Sequence, residues 1–242
     1  LDCDGYIDAI HITFSENIDD TNVTASDFDV AGITGEAFSS TTNSDTADDA
    51  DIYITFTDGF LSTMSTPTLQ YTQGTLTDLP GNLMVNDGPT ATTDKAGPAI
   101  LTAVASDESN AINGIDSDDT VTITFSENTT QPTINAGNIN TVLALNNSHS
   151  WLDGASAITS ASWSDNQTLV VTLINGGTPP TVAVADTITL DGSTIQDASA
   201  GTNVSTTVAF SAITGTFDSG DTTPPTITAR ETADLDGDGY ID

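Results

Sequence analysis

One octapeptide occurs twice and narrows the folds open to this chain. Ile10-His-Ile12-Thr-Phe14-Ser-Glu16-Asn17 is matched 111 residues later by Val121-Thr-Ile123-Thr-Phe125-Ser-Glu127-Asn128. Strict alternation puts Ile10, Ile12 and Phe14 on one face, and Val121, Ile123 and Phe125 likewise, the pattern of a half-buried strand. His11 then faces solvent or a neighbour. Stretch 51–57 turns Ile52, Ile54 and Phe56 inward, and stretch 168–174 does the same with Leu169, Val171 and Leu173. Stretches 68–72 and 186–190 follow in the same order. No window carries a 3.6-residue apolar period, and Thr and Ser abound where helix formers are scarce. The reading is all-β, two successive antiparallel sandwiches, with Phe14, Phe56, Phe125 and Val171 in the cores. Trp151 and Trp163 are expected as core or edge cover, with a sugar-stacking platform as the alternative.

The two ends also match. Residues 1–8 read LDCDGYID and residues 235–242 read LDGDGYID, seven of eight in common at a spacing of 234. That predicts about one period of something that repeats: a long tandem chain, or a subunit whose tail resembles its own head. The first residue is not Met, which suggests a processed or excised piece. In the complete copy, Asp234, Asp236, Asp238 and Asp242 fall at positions 1, 3, 5 and 9 of an EF-hand-type loop. Gly239 allows the sharp turn at position 6 and the Tyr240 carbonyl stands at position 7. The N-terminal copy supplies Asp2, Asp4, Asp8 and the Tyr6 carbonyl. A hard cation such as Ca²⁺ takes about 6–8 oxygens, and this spacing wraps them round one point. The Glu usual at position 12 is missing; His11 holds that register in the first copy. The loop resembles the dockerin and thrombospondin type 3 calcium loops, completed by a ligand from elsewhere. The competing reading is a solvated acidic turn.

Charge points the same way. Thirty-five acidic residues face two basic ones, Lys95 and Arg230, for a net charge of −33. This excludes nucleic acid and anionic membrane surfaces as partners. Thirty of the acids are Asp and five are Glu, a bias suited to metal coordination and Asx turns rather than to general solubility. Divalent cations would offset the self-repulsion. Weaker ligand candidates are Glu16 and Glu127 at strand ends, and Asp116, Asp118 and Asp119 in the loop before the second octapeptide. Asp78, Asp94 and Asp221, near the junctions, complete the set. The one cysteine, Cys3, permits no internal disulfide; it reads as a small turn residue, or more sharply as an intermolecular link. The sequons at Asn22, Asn128, Asn146, Asn166 and Asn203 matter only if the source glycosylates its exported proteins. No apolar run is long enough to span a membrane, and no signal peptide is expected in this piece.

The junctions are legible too. Asp94-Lys-Ala-Gly-Pro98 precedes a strand at 99–105, and Asp221-Thr-Thr-Pro224-Pro225 precedes one at 226–230. Pro after an acidic residue makes a short, extended connector. Thr75-Leu-Thr-Asp78-Leu-Pro-Gly-Asn82 compares with Thr194-Ile-Gln-Asp197-Ala-Ser-Ala-Gly201-Thr-Asn203. This order of connector, acidic loop, I-x-I-T-F-S-E and T-D-x-x-G-N resembles the SbsA-type bacterial Ig-like domain. The family occurs in tandem in S-layer proteins and adhesins at the cell surface. The resemblance implies Ig-like β-sandwiches and a structural or adhesive role, and no activity. The second copy departs from it in a longer turn at 197–203 and a looser loop at 114–119.

The expected organisation is therefore a sandwich with its calcium loop at 1–95, a second sandwich at 96–220, and the opening strand and calcium loop of a further domain at 221–242. The expected function is a calcium-stabilised extracellular structural protein, a repeat unit of a filament, S-layer or stalk. Its partner would be a second copy, whose segment 226–230 completes the sandwich that lacks an opening strand. The alternative is an adhesin module that binds a glycan or host protein. Catalysis is not expected. Phe217-Asp218-Ser219-Gly220 resembles an aspartic-protease turn but sits in a linker. There is no G-x-S-x-G elbow or phosphate loop. Lys95, also in a linker, is poorly placed for an internal isopeptide bond.

Overall fold

The computed structural model describes residues 3–57, 59–107, 114–199, 203–210, 212–218 and 226–232. The N-terminal half contains β1 (Ala9–Thr13), β2 (Phe28–Val30), β3 (Ala37–Phe38), β4 (Asp51–Thr55), β5 (Thr68–Tyr71) and β6 (Asp87–Ala91). The C-terminal half contains β7 (Ile100–Ser106), β8 (Thr120–Phe125), β9 (Leu143–Leu145) and β10 (Ser160–Trp163). It continues with β11 (Thr168–Thr172), β12 (Ile188–Leu190) and β13 (Thr214–Gly215). Among the described residues the α-helix amounts to one turn, Ile139–Val142. The protein is all-β.

Among the described residues the hydrogen-bonded ladders stay within each half. The first has the sheets β1-β4-β3 and β2-β5-β6; the second has β10-β11-β8-β7-β13 and β12-β9. Every ladder is antiparallel except β13 on β7. The alternation read in the sequence sets the register. Ile10 and Ile12 pair with Ile54 and Ile52, while Val121 and Ile123 pair with Val171 and Leu169. A one-residue slip would turn each apolar set outward, so burial holds the register. The cores are separate as well. Phe28, Ile52, Ile54, Tyr71 and Leu76 join both sheets of the first half. The larger second core gathers Ile123, Phe125, Trp151, Leu169 and Ile188.

Both tryptophans belong to that second core. Trp151 is fully enclosed and donates Nε1–H to the Leu143 carbonyl at 2.6 Å. Trp163 packs on Phe125, ring centroids 5.5 Å apart, and donates to the Pro132 carbonyl at 3.0 Å. A platform using both rings has no open Trp151 face.

Two expectations need correction. Phe14 is half-buried, whereas its counterpart Phe125 is 1 % exposed. The reason lies in the sheet order: β7 covers the outer side of β8, and among the described residues no strand lies beyond β1. The strand expected at 226–230 is not formed either. Residues 226–232 are exposed throughout and belong to no ladder. An extended segment without a neighbour has nothing to receive its backbone hydrogen bonds.

Candidate metal centre

The two halves repeat one local geometry after the octapeptide. Ile18 bridges Asp78, and Thr77 bridges Leu83; correspondingly Thr129 bridges Asp197, and Gln196 bridges Val204. The Asp19 amide donates to the Thr77 carbonyl at 2.9 Å, and that of Thr130 to the Gln196 carbonyl at 2.8 Å. The Asp78 amide donates to Asn82, and the Asp197 amide to Asn203, each at 3.0 Å. Leu76 and Ile195 are the buried anchors below, at 1 % and 0 % exposure. Each half therefore sets a Glu at its strand end beside an Asp at the start of a turn: Glu16 with Asp78, and Glu127 with Asp197.

In the C-terminal half the connector between the halves closes over this pair. The Ala99 amide donates to Ser126 Oγ at 3.0 Å, and the Ser126 amide to the Ala99 carbonyl at 2.9 Å. The Thr206 amide reaches the Pro98 carbonyl at 3.2 Å, and Asn203 Nδ2 the Asp94 carbonyl at 3.3 Å. Gly97 lies so close to Val204 that a Cβ would run into the Val204 carbonyl, so no larger residue fits there unmoved. The first half adds Thr63, whose hydroxyl meets that of Ser126 at 2.6 Å. Gly5, at φ +104°, passes Leu101 and Ser126 with no room for a Cβ.

This closure brings Asp94, Glu127 and Asp197 together. Their carboxylate oxygens lie within 4.8 Å of one another, and Glu127 and Asp197 are each 1 % exposed. Neither Glu127 oxygen has a hydrogen-bond partner of good geometry; the Thr63 hydroxyl acts on the charge but is engaged by Ser126. Burial pushes the Glu127 carboxyl up to about 8, with Asp197 and Asp94 adding to the rise. Burial, then the Asp197 charge, also raises Asp94. An enclosed carboxylate so weakly hydrogen-bonded, among like charges, is costly unless a cation or a proton neutralises it. Three carboxylates around one point are the donor set of a hard divalent cation, and the residues fit such an ion.

A second acidic cluster lies in the N-terminal half. Oxygens of Asp45, Asp49 and Asp51 are mutually within 4.8 Å, and each residue is half-buried. Beside them Asp20 is 6 % exposed, with neither carboxylate oxygen in a hydrogen bond of good geometry. Burial raises the Asp20 carboxyl; the Asp48 backbone offsets part of the rise, and the charges of Asp48, Asp45 and Asp49 add to it. His11 pairs with Asp51 and stacks on Tyr53 at 4.5 Å, on the outer face of its strand as alternation requires. Sequence reasoning passed over this cluster. The run Asp45-Thr-Ala-Asp48-Asp49-Ala-Asp51 was its signal.

The remaining candidates are dispersed. Asp4 is exposed and accepts the Tyr6 amide at 2.9 Å in an Asx turn; Tyr6 bridges Ser62. Asp8 is half-buried, and its carbonyl accepts from the Phe56 amide. Among the described residues neither Asp4 nor Asp8 joins a group of three or more metal-type ligands. Asp2, Asp221, Asp234, Asp236, Asp238, Tyr240 and Asp242 lie outside the described residues. Asp116 and Asp119 are buried and linked through the Asp116 amide at 3.0 Å, while Asp118 takes the left-handed conformation, φ 81°, that the turn into β8 needs. Glu16 is exposed. Asp78 caps its turn, accepting the Asn82 side chain and amide at 2.6 Å each, which hold its carboxyl below the usual range. Of the five sequon asparagines only Asn166 is exposed; Asn22, Asn146 and Asn203 use their side chains in hydrogen bonds.

No protein-family model, curated protein or solved structure matches this chain. Among the described residues no helix is long and apolar enough to cross a membrane.

Proposed function

We propose that this chain is a calcium-stabilised structural protein of the cell exterior, built of successive Ig-like units whose junction is locked by a cation. The observation that carries this reading is the cluster Asp94, Glu127 and Asp197, in which the connector supplies one carboxylate and the following half two. A cation held there ties the connector to the sandwich it enters and relieves the buried charge of Glu127. Two units joined by a short connector otherwise hinge. A lock at each connector turns a string of units into a rod, the mechanical property a filament, S-layer or stalk requires. A second cation at Asp45, Asp49 and Asp51 would offset charge within the first half. The adhesin alternative gains no support from Trp151, which is enclosed.

The test is thermal unfolding in millimolar Ca²⁺ and in excess chelator, for the natural chain and for Glu127→Gln. An ion that binds only the folded state raises stability with its free concentration. The natural chain is expected to melt higher in Ca²⁺. Glu127→Gln is expected to lose much of that gain, yet to melt no lower than the natural chain in chelator at pH 8, because it removes an uncompensated buried charge. Identical melting of the natural chain with and without Ca²⁺ would end the proposal.

A further inference from the structure

We infer that the first half holds a hard divalent cation of its own at Asp20, Asp45, Asp49 and Asp51, which pins the loop between β3 and β4 across the exit of β1. This extends the reading of the chain as calcium-stabilised and rests on it, but it does not need the junction site. Asp45, Asp49 and Asp51 bring carboxylate oxygens within 4.8 Å of one another. Asp20 closes the place from the inside. It is 6 % exposed, and neither of its oxygens has a hydrogen bond of good geometry. Asp45 Oδ2 is enclosed in the same condition. Among the described residues of the first half, these three oxygens are the only enclosed side-chain polar atoms so placed. The charges of Asp48, Asp45 and Asp49 bear on Asp20, and those of Asp49 and Asp51 bear on Asp45. His11 pairs with Asp51, which sets one imidazole against five carboxylates. Enclosed oxygens short of donors are what a cation satisfies.

The second half shows that the fold does not require these acids. The Phe14 amide donates to the Ala50 carbonyl at 2.7 Å and the Ile18 amide to that of Asp49 at 2.8 Å. The equivalent amides of Phe125 and Thr129 donate to Gln167 and Asn166, each at 2.8 Å. Thr13 faces Asp51 across the ladder, and Thr124 faces Thr168. The backbone crossing is therefore the same, and the side chains on it differ. Asn166 and Thr168 stand where the first half has Asp49 and Asp51. Counted from the octapeptide, Gln131 stands where the first half has Asp20; it is exposed, with its amide on the Asp165 carbonyl at 2.8 Å. Neutral residues thus meet every demand of this crossing. The first half also has the longer loop. Phe38 faces Ile54 and Ala161 faces the equivalent Val171, after which residues 39–50 lead to Asp51 but only 162–167 to Thr168. The longer loop carries Asp45.

The acids therefore serve something the backbone does not ask for. A set this rich in protein oxygens suits Ca²⁺, which takes about 6–8, better than Mg²⁺, which keeps several waters. The two segments are in contact: the Asp20 amide reaches Asp48 Oδ1 at 3.2 Å, and Asn17 Nδ2 the Asp48 carbonyl at 3.1 Å. An ion among their carboxylates ties them together. Its removal leaves like charges to push them apart.

The experiment follows amide exchange by NMR in the full-length Glu127→Gln chain, with Ca²⁺ and with chelator, so that the junction ion does not contribute. The amides of Phe14 and Ile18 report on the crossing, and those of Phe125 and Thr129 are the internal control. At free Ca²⁺ about ten times the Kd of the site, exchange at Phe14 and Ile18 is expected to slow by roughly tenfold and the control amides to stay unchanged. Asp20→Asn and, separately, Asp49→Asn are expected to abolish the slowing. In chelator Asp20→Asn is expected to exchange no faster than its parent, because it removes an enclosed charge. Rates at Phe14 and Ile18 that ignore Ca²⁺, or that slow equally in both variants, overturn the proposal. So does equal slowing at Phe125 and Thr129, which marks a general ionic effect. The two readings fail separately. A melting gain in Ca²⁺ that Glu127→Gln removes, with Phe14 and Ile18 unmoved, sinks this site and spares the junction. Slowed exchange at Phe14 and Ile18, beside a melting gain that Glu127→Gln leaves intact, spares this site and sinks the junction.

Discussion

The octapeptide glutamates show how one residue type takes two characters from its surroundings. Glu16 and Glu127 occupy the same place after the same strand. Glu16 is solvated, whereas the Glu127 carboxyl is pushed up to about 8 by the connector that seals it. A carboxyl whose pKa is raised by folding holds its proton more tightly in the folded state. Its contribution is most favourable below the ordinary value of 4.5 and is lost as pH climbs toward about 8. In chelator the chain is therefore expected to lose stability over that interval, on the order of a few kcal/mol. Saturating Ca²⁺ should remove most of this slope, because the ion takes the proton's place. Denaturant unfolding at a series of pH values, with and without chelator, measures both. A flat chelator curve would mean that Glu127 is not buried as described. Asp153 behaves in the opposite sense: amides of Ala157, Gly176 and Ala155 hold its carboxyl below the usual range. Its contribution is present above the ordinary carboxylate value and fades only in acid.

Among the elements, the connector between the halves matters most for its length. It is the segment whose backbone makes the Ser126, Thr206 and Asn203 contacts and delivers Asp94. Gly97 is its narrowest point. Gly97→Ala should push the connector off the Val204 carbonyl, at a cost of about 1–3 kcal/mol from overpacking. Displacement of the connector also moves Asp94, so the variant should lose Ca²⁺ affinity as well as stability. Calorimetric titration beside a melting curve separates the two effects. A Gly97→Ala chain with unchanged affinity would show that Asp94 is not a ligand. The edge strands form the other informative pair. β1 and β8 read alike in sequence, yet among the described residues β8 is central and β1 is an edge, and the partial exposure of Phe14 accords with that.

For the whole molecule, the net charge of −33 sets the problem that cations would solve. Like charges spread over two halves favour extension and loosen every acidic turn. Small-angle scattering in Ca²⁺ is expected to fit one fixed arrangement of the halves. In chelator it should require a range of arrangements with a larger mean radius of gyration. Raising monovalent salt in chelator should recover part of the stability by screening, and none of the fixed angle. A scattering profile indifferent to Ca²⁺ would remove the rod from the proposal and leave only local stabilisation.

The strands were legible because alternation is a local property: Ile52, Ile54, Leu169 and Val171 declare their inward face within a few residues, and all four are fully buried. The repeat was legible for the same reason, and it put Glu127 and Asp94 among the weaker ligand candidates. What pattern could not supply was convergence. Asp94, Glu127 and Asp197 are far apart in the chain and meet only because the connector folds back over a turn that starts seventy residues beyond Glu127. Asp20 and Asp45 approach one another through the packing of separate loops, and nothing in either loop's sequence names the other. Nor could alternation distinguish an edge strand from a central one, since both present the same face to the core. That distinction belongs to long-range pairing, and with it went the burial of Phe14, the raised pKa of Glu127 and the place of the candidate metal centre.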